Sequence, residues 1–140
     1  MKEESPMNKI LIFCLFLFTC VYANDVYTPQ RGTLERSAIM NALRVEVKNY
    51  HDIEVIFIVR TLKLKDGWAW AIVAPLSKDG VNHYEEIIAL LHKEAGIWKV
   101  AELVCTEPET IGCLEDSNFF DDLQKRFPAM PVEILPLNDE

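Results

Sequence analysis

Glycine is scarce in this chain. Five glycines stand singly among 140 residues, and none belongs to a phosphate-cradling loop. Histidine is scarcer still: His51, His83 and His92 form no His-x-x-x-His or His-Glu-x-x-His pair, so metal binding has no sequence warrant. His83 lies near Glu85 and Glu86, but beside a turn where polar residues are ordinary. Ser37, Ser77 and Ser117 lack the Gly-x-Ser-x-Gly elbow of a serine hydrolase. Positive charge is in deficit, with 14 Lys and Arg against 22 Asp and Glu and a formal net charge of −8. Nucleic-acid phosphates and anionic headgroups repel such a chain, whereas a basic partner protein is compatible with it. A bilayer-spanning run is also missing, since a span needs about 18 apolar residues. The longest candidate, Ile10 to Val21, has twelve residues, all apolar but for Thr19.

That short run has a different meaning. Lys2 and Lys9 precede it, Val21-Tyr22-Ala23 closes it, and Asn24-Asp25 follows. A basic start, a short apolar stretch and small or branched residues at −3 and −1 predict a signal peptide over residues 1–23, cut after Ala23. Met7 would serve as an alternative start, leaving the leader Met-Asn-Lys. A lipoprotein anchored at Cys20 is the competing reading, and Phe18 and Thr19 fit its small-residue requirement poorly. The expected product, residues 24–140, is a single periplasmic or secreted domain with no membrane insertion. Its charge stays at −8, because the leader carries two lysines and two glutamates.

Cys14 and Cys20 leave with the leader, and Cys105 and Cys113 remain. An even count in an exported chain predicts a disulfide between them. Closing so short a loop stabilises by about 2–3 kcal/mol in the chain-entropy picture. The spacing is neither a zinc nor a redox Cys-x-x-Cys pattern, and pairing would remove both thiols as nucleophiles. Glu115, Asp116, Asp121 and Asp122 gather nearby without the alternating ligands and loop glycine of a calcium site, which predicts a solvated helix start.

Along the domain, Asn24 to Gly32 reads as an extended lead-in. Thr33 offers a helix N-cap with Glu35 in the first turn. Ile39, Met40, Leu43 and Val47 recur at helical spacing opposite Ser37, Asn41, Arg44 and Lys48, which predicts an amphipathic helix of about four turns ending near Asn49. Ile53 to Leu64 is rich in β-branched residues and reads as a long strand. Its half Val55 to Val59 is apolar on both faces, which predicts a central position in the sheet. Asp66-Gly67 then signals a tight hairpin, and Trp68 to Ala74 is the returning strand, stopped by Pro75.

A two-residue turn fixes the register. Lys65 falls opposite Trp68, Lys63 opposite Trp70 and Thr61 opposite Ile72, while Leu64 and Leu62 face Ala69 and Ala71. One face is thus Leu plus Ala, which lets a helix approach closely. The other carries two indoles beside two lysines. Glu85 to His92 is ambiguous between helix and strand, with strand favoured from Ile87. Ala95-Gly96 reads as a turn before a strand from Ile97 to Cys105, with Trp98, Val100, Glu102 and Val104 on one face and Ala101, Leu103 and Cys105 on the other. Asn118 to Phe127 predicts a short helix capped by Asn118 or Ser117, and Pro128, Pro131 and Pro136 an extended tail.

The elements sum to an α+β domain: an N-terminal amphipathic helix on a curved antiparallel sheet of about four strands in two hairpins, with a short C-terminal helix. The stretch Leu90-Leu91-His92-Lys93-Glu94-Ala95-Gly96-Ile97-Trp98-Lys99-Val100-Ala101 resembles the penultimate hairpin of cystatin-like cone folds, nuclear transport factor 2-like domains among them. The helix Ala38-Ile39 to Arg44 and the turn Asp66-Gly67-Trp68-Ala69 are similar to those of a set of small exported bacterial proteins. The resemblance covers about residues 30–105 and implies the fold but no activity.

Two readings compete for the face formed by Trp68, Trp70, Lys63 and Lys65: a core under a helix or the tail, or an exposed binding platform. The leading functional expectation is a non-enzymatic exported binding protein acting on a protein partner, as inhibitors and immunity proteins do, with no cofactor and no metal. A small-ligand domain with an apolar cavity of about 300 Å³ or more is the alternative. An accessory domain of an envelope assembly, marked by a large apolar patch, is the third.

Overall fold

The computed structural model describes residues 25–105, 113–116 and 118–137. The expected leader with Cys20, the middle of the Cys105–Cys113 loop and the candidate cap Ser117 lie outside the described residues. Helix α1 spans Leu34–His51. It starts because the Thr33 hydroxyl accepts the Arg36 N–H, and it stops where Asp52 turns left-handed (φ 53°) and donates its N–H to the Lys48 carbonyl. Its buried residues are Ile39, Met40, Leu43 and Val47, the predicted stripe.

Four strands follow: β1 (Val55–Lys65), β2 (Trp68–Ser77), β3 (Ile87–Glu94) and β4 (Ile97–Val104). They form an antiparallel meander in the order β1-β2-β3-β4. The β1/β2 register is the expected one, with Lys65 opposite Trp68, Lys63 opposite Trp70 and Leu64 opposite Ala69. Ala69, Ala71 and Ala89, all fully buried on the two central strands, let Ile39, Met40 and Leu43 of α1 settle on them. The helix touches both edge strands, so the sheet curls around it. Two bulges assist that curl, one between Val59 and Thr61 and one facing Leu90/Leu91.

Helix α2 (Phe119–Arg126) and a 3₁₀ turn over Val132–Ile134 cover the opposite face of the sheet. Leu123, Met130, Ile134 and Leu135 are buried there against Trp68, Trp70, Leu90 and Val104. The sheet is therefore covered on both sides. A disulfide joins Cys105 to Cys113 across 6.0 Å between Cα atoms, tethering the end of β4 to the approach to α2.

The structure corrects four expectations. Pro75 does not stop β2: it pairs with Phe57, and its carbonyl accepts the Tyr84 N–H (3.0 Å) on the side away from β1. The donor that proline lacks would point to that same outer side, beyond the end of β3, so the β1/β2 ladder loses nothing. The faces of β4 change partway. Leu90 pairs with Glu102 and Leu91 with Val100, leaving Ala101 as an extra residue. Trp98 and Val100 accordingly face α1, whereas Val104 joins the indoles on the other side. The tail is not extended throughout, because it folds into the 3₁₀ turn that plugs the second core. Finally, β1 is an edge strand rather than a central one, and its Ile56 and Ile58 are 42 % and 41 % exposed.

Candidate functional site

The four residues singled out in the sequence do meet on one face, beneath the C-terminal layer. Trp70 is fully buried and Trp68 is 6 % exposed. Trp68 stacks on His92, its cross-strand neighbour, at 4.0 Å between ring centroids, and Phe127 lies edge-on to it. The Trp70 indole N–H is enclosed with no hydrogen-bond partner among the described residues. Lys65 reaches across to Glu133 at 2.9 Å. That bond raises the Lys65 pKa and lowers that of Glu133, since each charge stabilises the other. The indole–lysine face thus forms the second core with an ion pair at its margin. The histidines, the acidic residues near Cys113 and their neighbours make no cluster able to hold a metal ion among the described residues.

An open site lies at the other end of β1. The lead-in strap covers only the C-terminal half of this edge: Tyr27 exchanges two backbone bonds with Leu64 (3.0 and 2.8 Å), and Thr28 donates its hydroxyl hydrogen to the Leu62 carbonyl. The strap is held to α1 by the Tyr27 hydroxyl donating to Glu35 at 2.9 Å. Partial burial, then that carboxylate, raises the tyrosine pKa. Beyond the Arg60 bulge no strand among the described residues lies beside the edge. Phe57 sits opposite Pro75, whose carbonyl points away from β1, so the alternation of the ladder turns the N–H and C=O of Phe57 and Val59 outward. Among the described residues nothing pairs with them.

Beside this free edge runs a groove of about 640 Å³ between β1 and the first half of α1. Arg31, Arg36 and Arg44 line it together with Ser37, and among the described residues no carboxylate does. Arg36 is steadied by donating to the Pro29 carbonyl (3.0 Å). Arg44 donates to Asn41 (2.7 Å) and to the Val55 carbonyl (3.3 Å), with its guanidinium 5.7 Å from the Phe57 ring centre. A guanidinium has five donors, and these bonds engage one on Arg36 and two on Arg44. On the other side of the same strand Ile56 and Ile58 form an exposed apolar pair opposite Leu76 and Ala74. The sequence placed Arg44 on the polar face of the helix but did not connect it with β1. The signal is the doubly apolar run from Val55 to Val59, which reads as a central strand and lies at an edge.

A second concavity of about 870 Å³ opens at the opposite end of α1. Tyr50, Tyr84, Ile87 and Leu103 give it apolar walls, and Glu46 and Glu86 an acidic margin. No helix among the described residues is long and apolar enough to cross a membrane. No protein-family model matches this chain, and no curated protein or solved structure matches it either.

Proposed function

We propose that this is an exported binding protein, without catalytic activity, that engages a protein partner through the open half of β1. In this reading residues 1–23 are a signal peptide removed after Ala23, and the domain works oxidised, in the periplasm or outside the cell. The Cys105–Cys113 disulfide supports an oxidising compartment. The resemblance to cystatin-like and nuclear transport factor 2-like folds belongs to this proposal as a statement about architecture. The observation that carries the reading is a strand edge unpaired among the described residues and flanked by half-exposed Ile56 and Ile58, a feature that proteins usually blunt with charge, proline or cover. Strand edges of this kind are recurrent sites of peptide addition.

The test is site-specific photo-crosslinking in the exported fraction of cells making the native protein. A crosslinker at Ile58 captures one discrete protein, whereas one at Val81, 72 % exposed in the β2–β3 loop, does not. Equal capture at both positions, or none at Ile58, ends this reading. The 870 Å³ cleft favours a second one, a small-ligand domain whose acidic margin suits a cation. It requires saturable binding of a small amphipathic amine that shifts the Tyr50 and Tyr84 resonances.

A further inference from the structure

Resting on the preceding reading, we propose that the segment captured is an extended stretch alternating carboxylate with apolar side chains, added to the sheet as a fifth strand beside Val55–Val59. Three independent features define it. The outward N–H and C=O groups of Phe57 and Val59 supply two sets of ladder bonds. A strand laid there presents alternate side chains to opposite faces, because its period is two. Side chains on the α1 side enter the groove of Arg31, Arg36 and Arg44, where a carboxylate meets donors in a fork geometry. Side chains on the other side lie against Ile56 and Ile58, where apolar groups are favoured.

The length follows from the fold. The strap at Tyr27–Thr28 occupies the edge opposite Leu62 and Leu64, so a guest strand has the stretch from Val55 to the Arg60 bulge. Charge discriminates among occupants. A chain at −8 repels an acidic segment on average, whereas the groove, lined among the described residues by three arginines and no carboxylate, attracts it. A second copy of this chain pairing edge to edge brings the arginines of the two grooves towards one another, which disfavours self-association.

The experiment uses the mature oxidised protein, labelled with ¹⁵N, and three probes. These are acetyl-Thr-Glu-Val-Glu-Val-Glu-Thr-amide, the same peptide with lysine for glutamate, and the acidic peptide N-methylated at its central glutamate and at the valine after it. The acidic peptide is expected to bind with the largest shifts at the Phe57 and Val59 amides, which also gain protection from hydrogen exchange. Its affinity falls about fivefold or more between 50 and 300 mM salt, as screened charge requires. The lysine and N-methylated peptides bind about tenfold more weakly, the first through charge and the second through loss of ladder donors. Arg31→Glu and Arg36→Glu each weaken the acidic peptide severalfold while the amide spectrum stays folded. Equal binding of the lysine peptide, shifts centred on Tyr50 and Tyr84, concentration-dependent dimerisation through Ile58, or no binding at millimolar peptide each overturns the proposal. A protein captured at Ile58 that the acidic peptide fails to displace overturns this inference alone. Failure to capture any protein at Ile58 removes the reading beneath it.

Discussion

Ala95 occupies the first central position of the β3–β4 turn with φ 48°, followed by Gly96 at φ 79°. Two consecutive positive φ values define the turn that best matches strand twist, and asparagine or glycine suits its first position far better than alanine. The Cβ of an L-residue costs about 1–2 kcal/mol in the left-handed region. Ala95→Asn is therefore expected to raise stability by about 1 kcal/mol in urea unfolding. A fall would mean that the turn is held by contacts asparagine disturbs. The equivalent Asp66-Gly67 turn (φ 50° and 76°) already has suitable residues, and it was also the turn whose signal was clearest in the sequence. Residue chemistry also sets a pH window. The Lys65 ammonium holds Glu133 below the ordinary 4.5 in the folded state. A depressed carboxylate contributes stability in full above its unfolded value, and that contribution fades as pH falls through the folded value. Lys65, raised above 10.5, behaves in the opposite sense and loses its contribution only as pH climbs through the raised value. Glu133→Gln should consequently lower the urea midpoint slightly and evenly between pH 6 and 9, with the difference from wild type closing as pH falls below 4.5 and through the lowered folded value. A difference that never closes on acidification would assign the effect to packing.

Elements were legible wherever a single periodicity or turn governed them. Ile39, Met40, Leu43 and Val47 mark α1 by spacing alone, and Asp66-Gly67 fixes five cross-strand pairs because a two-residue loop admits one register. What escaped depended on a third element. The Ala101 bulge exchanges the faces of β4, and nothing local to Ile97–Val104 marks it, since the pattern stays apolar on both sides of the shift. Pro75 looked like a terminator because proline lacks a donor, yet whether that donor is needed depends on where β3 ends. The open site was missed for a related reason. A run apolar on both faces reads as buried, and only the meander order reveals that Val55 to Val59 lies at an edge. The cysteine pair, by contrast, follows from count and compartment. Replacing both Cys105 and Cys113 by serine should cost about 2–3 kcal/mol, the loop-closure value. Chemical reduction of the native protein should reproduce that loss within error. A serine variant as stable as the oxidised protein would show that the tether adds nothing to the docking of α2.

At the scale of the whole molecule, charge and layering are both uneven. Among the described residues the groove beside β1 is lined by arginines without a carboxylate, whereas the cleft at the other end of α1 has an acidic margin. A net charge of −8 thus describes the average and conceals the basic site, which is why composition pointed only to a basic partner. The layers differ in how they are joined. The α1 layer is continuous with the sheet through one large core. The C-terminal layer rests on Trp68 and Trp70 and is tied at its margins by the disulfide, Lys65–Glu133 and the Arg126–Glu102 ion pair. Such a layer is a candidate for separate, lower-energy opening. Leu123→Ala, which empties a fully buried position in that core, is expected to cost about 2–5 kcal/mol. Its signature matters more than its size. In the native protein all three tryptophans are at most 6 % exposed, so emission is blue and acrylamide quenching weak. If the layer opens alone, Leu123→Ala shows increased quenching of Trp68 and Trp70 in mild urea, before the amides of Leu43, Ala71 and Leu91 lose exchange protection. Truncation after Asp116 then exposes the same indoles without denaturant and binds a hydrophobic dye. Coincident loss of fluorescence and of exchange protection would instead establish that the two layers unfold as one unit.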